Sequence, residues 1–277
     1  MTIYEQIVGK FEAAANEEVA ERMSKMTFDR FDYFGIDGPR RNILTFHLRR
    51  ELIAQEGIDW DFVDNCWKNR YREMQLLAID YLNAVADRLT YDDTKTHLKE
   101  LILNKPWIDT VDKLGFLIDI VDDRRVADLM INWSRTDNRW LQRVAIMHQQ
   151  KRRDKINTKL LEKCIVNCLD SKEEIVTRAI AIALKGYSNY NPKWVAAFLF
   201  HHKDRLTTST RQFAAVHINR ITRQKRREEE ERKEELERQR YDEQIRKRRA
   251  QRQRRREYRR QLAQRTVQTP TPPETAQ

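Results

Sequence analysis

Apolar residues between positions 1 and 221 recur at intervals of three and four, which is the spacing of an amphipathic helix. Leu76, Leu77, Tyr81 and Ala84 share one helical face in this way. Only six glycines and six prolines occur in the chain, so the turn chemistry of β-sheets is scarce. The pattern predicts an all-α fold.

Breaks in this periodicity return at regular intervals and divide the chain into helical hairpins. Pairing the helices between breaks gives hairpins at about 58–89, 92–121, 123–151, 157–186 and 191–221, a period typical of helical-repeat arrays. A single N-terminal helix, at about 2–22, is expected to cap the array. We therefore expect a helical-repeat solenoid whose inner helices line a concave surface, where repeat proteins bind long ligands.

The apolar periodicity stops after Ile221, and the composition becomes strongly charged. We therefore divide the chain into a repeat domain, 1–221, and a basic C-terminal extension, 222–277. Acid-before-base pairs four residues apart favour a solvated helix, although a disordered tail is the alternative. The stretch 246–260 has ten basic residues and one acidic residue, so it is expected to bind nucleic acid non-specifically, while anionic membrane remains an alternative. The final TPTPPETAQ is expected to be disordered.

Charge and cysteine content narrow the function classes. The net charge is +11, and the extension carries 19 basic against 11 acidic residues, so the repeat domain is close to neutral. Cys164 and Cys168 share a helical face, but no complementary Cys/His pair has metal-ligand spacing, so we expect buried thiols and no metal site. No apolar run has the length of a signal peptide or a membrane span. We expect a cytoplasmic monomer, associated with the nucleoid when bound to DNA.

Five sequence blocks resemble a known family. The segment FDRFDYFGIDGPRRNIL, from Phe28, resembles the start of the AlkD-like DNA alkylation-repair proteins. YREMQLLAIDYL, KPWIDTVDKL, NRWLQRVAI and TRAIAIALKGYSNYNPKWVAAFL follow in the family's order, so the resemblance spans about 28–220. It implies HEAT-like helix pairs that bind double-stranded DNA on a basic concave face and excise cationic N3- or N7-alkylated purines. It also implies that no cofactor or metal is needed.

Asp112 is the candidate catalytic carboxylate. An alkylated purine already carries positive charge, so its glycosidic bond is weak and cleavage needs little acid catalysis. A carboxylate near the anomeric carbon would stabilise the oxocarbenium-like sugar and orient water. Asp112 ends the family-like run from Trp107. The alternative is that Asp109 and Asp112 are only a helix-capping pair, since they have N-cap to N3 spacing.

Arg143 is the candidate partner of this aspartate. It matches the arginine of the family's WLQR block, and the resemblance implies that it holds a phosphate beside the lesion or positions Asp112. The alternative is a buried arginine–carboxylate pair that fixes adjacent repeats.

The substrate cleft departs from the family pattern. Ile108 and Ile182 stand where the family has cleft tryptophans, so both aromatic walls are expected to be aliphatic. A ring facing a cation contributes ~0.5–2 kcal/mol, so their loss would slow turnover. Substitute rings are Trp107, which is one position upstream, and Tyr187, with Tyr190 and Trp194 as further candidates. Packing in the hairpin core is the alternative for all of these aromatic residues.

Contacts with the DNA backbone are expected from a separate group of residues, namely Tyr33, Phe34, Arg40, Arg41 and Arg178. Three functions remain open on the sequence. The first is an alkylpurine DNA glycosylase, and the second is a non-catalytic binder of DNA structure that has lost the aromatic cleft. The third is a protein-interaction scaffold, which the near-neutral repeat domain keeps open.

Overall fold

The computed structural model describes residues 1–267, with side chains to residue 260, so the predicted disorder of 269–277 lies outside the described residues. The chain divides into two compact units, Met1–Ile218 and Asn219–Gln277. The described part is helical, and its only extended pairing is an isolated bridge between Asp32 and Tyr71. The predicted all-α helical-repeat fold is therefore confirmed.

Fourteen α-helices account for most of residues 1–267, together with 3-10 segments at Ala86–Arg88 and His148–Lys155 and a π-turn at Thr94–Leu98. The α-helices are α1 (Ile3–Ala13), α2 (Glu17–Met26), α3 (Gly38–Ala54), α4 (Trp60–Lys68), α5 (Arg72–Ala84), α6 (Tyr91–Asp93), α7 (Lys99–Leu103), α8 (Ile108–Ile118), α9 (Arg125–Ser134), α10 (Arg139–Met147), α11 (Thr158–Cys168), α12 (Glu174–Ser188), α13 (Pro192–His201) and α14 (Thr208–Val267).

Side-chain caps explain where the repeat helices begin. Asp59, Thr90, Asn138 and Asn157 each accept a backbone N–H from the first turn of the helix that follows. Second helices of successive hairpins pack on one another, with α10 lying against α8 and α12, while first helices such as α9 and α11 form the other layer. The repeat order therefore places α5, α8, α10 and α12 side by side.

The N-terminal region differs from the prediction. The single helix expected at about 2–22 is two helices, α1 and α2, because Asn16 caps a new helix by accepting the N–H of Val19 at 3.0 Å. Gly35, at a φ of 84°, then approaches this turn so closely that a Cβ would lie 2.1 Å from the carbonyl oxygen of Asn16. Only glycine fits there.

Two apolar clusters form the core of the first unit. One runs from Ile7 to Cys164 and the other from Ile146 to Ala214, and Ile175 packs against both. In the second unit, residues 219–267 are helical, and the side chains of residues 222–260 are exposed except that of Ile245, which is half-buried. No helix within the described residues is long and apolar enough to cross a membrane.

Candidate active site

Asp112 and Arg143 form a bidentate ion pair between neighbouring helices. Arg143 Nε donates to Asp112 Oδ1 and Nη2 donates to Oδ2, each at 2.7 Å. The Arg143 side chain is 2% exposed and that of Asp112 is 19% exposed. Arg143 Nη1 also donates to the Ile175 carbonyl oxygen at 3.2 Å, so the arginine joins α8, α10 and α12. The carboxylate is therefore fixed in direction while one edge stays accessible.

A second bidentate pair lies one turn earlier on α8. Arg72, which is fully buried, donates to both oxygens of Asp109, at 2.5 Å from Nη2 and 3.3 Å from Nε. It also donates to Thr110 Oγ1 and to the Lys105 carbonyl oxygen. The capping role considered for Asp109 is wrong, because α8 begins at Ile108 with Trp107 at its N-cap.

The cleft candidates separate into accessible and buried positions. Ile108 is 38% exposed and lies one turn before Asp112, so the two share a face of α8. Ile182 is half-buried on α12. Tyr187 is 4% exposed and packs edge-on against Trp194, with ring centroids 5.5 Å apart. The expectation that Tyr187 faces substrate is therefore corrected, because its ring belongs to the hairpin core.

Trp107 faces a group of aromatic residues that precedes α3. Its ring meets Phe28 at 6.2 Å and Phe31 at 6.3 Å, both edge-on, and the Arg30 guanidinium lies 5.1 Å from its centroid. The Arg72 guanidinium lies over the Phe31 ring, 4.1 Å from its centroid. We call Phe28, Arg30, Phe31 and Trp107 the aromatic cluster. Of these four residues, only Trp107 was predicted from the sequence to line the site.

Of the residues predicted to contact the DNA backbone, some are exposed and others are buried. Arg40 is exposed, and so is Arg178, whose nearest acid is Glu174 at 3.9 Å. Phe34 is 4% exposed and stacks on Tyr71 at 3.8 Å, so its predicted contact with DNA is corrected to a core contact.

Two further members of this group are held by neighbours. Arg41 is buried and donates to Asp80 at 2.9 Å, so its predicted phosphate contact is corrected to an ion pair between helices. Tyr33 is half-buried, and burial raises the pKa of its hydroxyl, which lies 3.4 Å from Thr27 Oγ1. It remains close to Asp109 and Arg72.

Arginine–aspartate pairs recur along the repeats, a feature that the sequence analysis missed. Partners lie 31 to 39 residues apart, about one repeat: Arg41–Asp80, Arg72–Asp109, Arg143–Asp112, Arg152–Asp119 and Arg205–Asp170. For the three buried arginines, Arg41, Arg72 and Arg143, the sequence signal was the repeat period itself, since a buried charge requires a partner and neighbouring repeats are the nearest source of one.

Glu73 fixes the segment that carries the aromatic cluster. Its carboxylate is buried and accepts the N–H groups of Phe34, Gly35 and Ile36 at 3.1, 2.9 and 3.1 Å. Burial raises the pKa of Glu73, although the backbone N–H donors act in the opposite direction. A carboxylate on α5 therefore fixes the loop between α2 and α3.

Within residues 1–260, no group of three or more His, Cys, Asp or Glu side chains is placed to hold a metal ion. Cys66, Cys164 and Cys168 are buried and unpaired. Burial raises the pKa of both Cys164 and Cys168 to about 12, so these thiols stay protonated at neutral pH.

The comparison with known proteins identifies the family. The family profile described as "DNA alkylation repair enzyme" matches residues 7–218, which is most of the chain. The chain belongs to this family. No curated protein matches the sequence. A solved structure described as a "Predicted DNA alkylation repair enzyme from Enterococcus faecalis" has the same fold, with a TM-score of 0.67 at 23% sequence identity, covering 73% of this chain and 95% of that one.

Membership of the DNA alkylation repair enzyme family implies that the chain binds DNA. The matched residues end at Ile218, so the charged extension lies outside the family profile. All the residues discussed at the candidate site fall within the matched range. For this DNA alkylation repair protein, the accessible chemistry of the described site therefore consists of an oriented carboxylate at Asp112, an aliphatic surface at Ile108 and the aromatic cluster.

Proposed function

We propose that this protein is a DNA glycosylase that hydrolyses the N-glycosidic bond of cationic N3- and N7-alkylated purines in duplex DNA. The observation that supports the proposal is the bidentate pair in which buried Arg143 holds both oxygens of Asp112 at 2.7 Å. The protein would act as a monomer without a cofactor, in the cytoplasm and on the nucleoid.

Hydrolysis of this N-glycosidic bond requires little from the protein beyond an oriented negative charge. The alkylated base leaves as a neutral molecule, so no general acid is required. The sugar develops positive charge, and the accessible edge of Asp112 would stabilise it and orient the attacking water. Because Arg143 already fixes the carboxylate, no reorganisation is needed when the charge develops.

A second function, the non-catalytic binding of DNA structure, is favoured by one observation. Ile108 is 38% exposed on the face of α8 that carries Asp112, where the family resemblance leads one to expect tryptophan. An aliphatic side chain lacks the ~0.5–2 kcal/mol that a ring offers to a cation. A protein of this kind would bind distorted duplexes without releasing a base.

The basic stretch 246–260 is proposed to anchor the protein on DNA. Its side chains are exposed on a helix, and it carries ten basic residues and one acidic residue. Neutralising several phosphates releases counterions, so this contribution to affinity should fall steeply with salt and show no sequence preference.

The test is single-turnover release of free base from duplex DNA that contains 7-methylguanine, for the parent and for Asp112→Asn. Asp109→Asn is the matched control, because Asp109 lies on the same helix in the same kind of ion pair. We expect Asp112→Asn to slow release by about a hundredfold or more with DNA binding intact. Asp109→Asn should slow it far less. Parent protein that binds this DNA but releases no base above the spontaneous rate would favour the second function.

A further inference from the structure

The loop between α2 and α3 carries a phenylalanine where helix ends favour glycine. Thr27 is the C-cap of α2, and Phe28 and Asp29 follow it with φ of 55° each. This left-handed conformation is disfavoured for a bulky side chain, and glycine is the usual residue there. The backbone is held in place by hydrogen bonds from Phe28 N to the Lys25 carbonyl and from Asp29 N to the Ser24 carbonyl.

Local stability does not account for Phe28. The residue is 78% exposed, so its ring gains little from burial while its backbone bears the strain. Its edge-on contact with Trp107 fixes the direction of the ring without covering it. Phe31 also packs edge-on against Trp107, and the Arg72 guanidinium lies over the Phe31 ring. The loop therefore presents one solvent-facing aromatic ring whose edge packs against Trp107.

The positive charge beside Phe28, on the neighbouring Trp107 ring, favours contact with DNA phosphate and disfavours a cationic base. The Arg30 guanidinium lies 5.1 Å from the Trp107 centroid, so a cation is already placed on that indole. A second, alkylated cation would be repelled from the same ring. The Arg30 guanidinium forms no hydrogen bond or ion pair within the described side chains, which leaves its donors available to a phosphate.

We propose that Phe28 is a wedge that packs between bases of duplex DNA beside the lesion, with Arg30 contacting the adjoining phosphate. Apolar side chains that part base steps act in this way in other DNA-binding proteins. Trp107 is the N-cap residue of α8, and Asp112 lies five residues later, which is about 7.5 Å along the helix axis. The placement of the wedge beside the lesion rests on the proposed function, since it assumes that the lesion lies at Asp112, whereas insertion of Phe28 between bases does not.

The experiment uses the full chain and a duplex with a tetrahydrofuran abasic analogue and 2-aminopurine one or two base steps away. Insertion of the wedge should raise the 2-aminopurine emission on binding. Phe28→Ala should abolish the rise and weaken binding to this duplex about tenfold. Its affinity for intact duplex should change less than about twofold. Phe28→Leu should keep the rise, because leucine can still part a base step.

Ile43→Ala is the matched control, because Ile43 is 76% exposed on α3 outside the aromatic cluster, and it should behave as the parent. An unchanged rise in Phe28→Ala, or an equal loss of affinity for intact and abasic duplexes, would overturn the wedge. The proposed glycosylase activity is tested separately, by the release of free base. If the parent releases no base but shows a rise that depends on Phe28, the wedge stands without the glycosylase. If release depends on Asp112 while the rise is independent of Phe28, the reverse holds.

Discussion

Two arginine–aspartate pairs on the same helix differ in what surrounds them. Arg72 meets Asp109, Thr110, the Lys105 carbonyl and the Phe31 ring, whereas Arg143 meets Asp112 and the Ile175 carbonyl. The first arginine ties a helix, a loop and an aromatic ring together. The second has fewer partners and orients one carboxylate. Similar bonding geometry therefore serves packing at one position and, as we propose, chemistry at the other.

The largest expected effect is on stability, from removing the more heavily bonded arginine. Arg72→Ala removes the guanidinium that donates to Asp109 and to Thr110 Oγ1, and it should lower the free energy of unfolding by ~3–5 kcal/mol. Arg143→Ala should cost less, because its guanidinium has fewer partners. Urea denaturation of both variants tests the order, and equal losses would remove the distinction between the pairs.

A buried histidine at the end of α10 adds a pH dependence that is independent of both carboxylates. Burial lowers the pKa of His148 from 6.5 to about 4. The unfolded chain therefore binds the proton more readily, and stability is lost as pH falls from about 6.5 towards 4. The full loss is on the order of 3 kcal/mol. Stability measured against pH should be flatter in His148→Gln. A slope that is unchanged between pH 6.5 and 4 would contradict this assignment.

A smaller effect is expected next to Arg72, at Glu73. Glu73→Gln keeps one oxygen for two of the three loop amides but turns an NH2 group towards the N–H of Phe34. The loss of one buried acceptor should reduce stability by ~1–3 kcal/mol. It should also loosen the loop that carries Phe28. Hydrogen exchange of residues 34–36 measures this directly, and protection equal to the parent's would show that the carboxylate does not hold the loop.

The smallest effect is expected from the exposed pair on the helix of Arg143. Arg139 and Glu173 lie 3.1 Å apart, and each side chain is 50% exposed. Arg139→Ala should change the unfolding free energy by less than about 1 kcal/mol, because water screens such pairs. A loss as large as that of Arg143→Ala would show that burial is not what separates the pairs.

The helical class and the starts of the repeat helices follow from the sequence alone. The last hairpin, expected to end at about 221, instead continues in α14, which runs from Thr208 to Val267. Apolar spacing and capping residues such as Asp59 and Asn138 act within a few positions of one another, so their effect can be seen without the fold. The resemblance singled out Asp112 and Arg143, but their pairing could not be predicted from the sequence because they lie on neighbouring helices.

Which side chains face solvent depends on contacts between repeats. Phe34 and Arg41 lie within the same short stretch as exposed Arg40, yet contacts with Tyr71 and Asp80 bury them. Those contacts join residues about one repeat apart, and the periodicity of one helix carries no information about its neighbour. The contact of exposed Phe28 with Trp107 could not be predicted from the sequence for the same reason. It depends on the conformation of a loop whose backbone N–H groups donate to Glu73 on another helix.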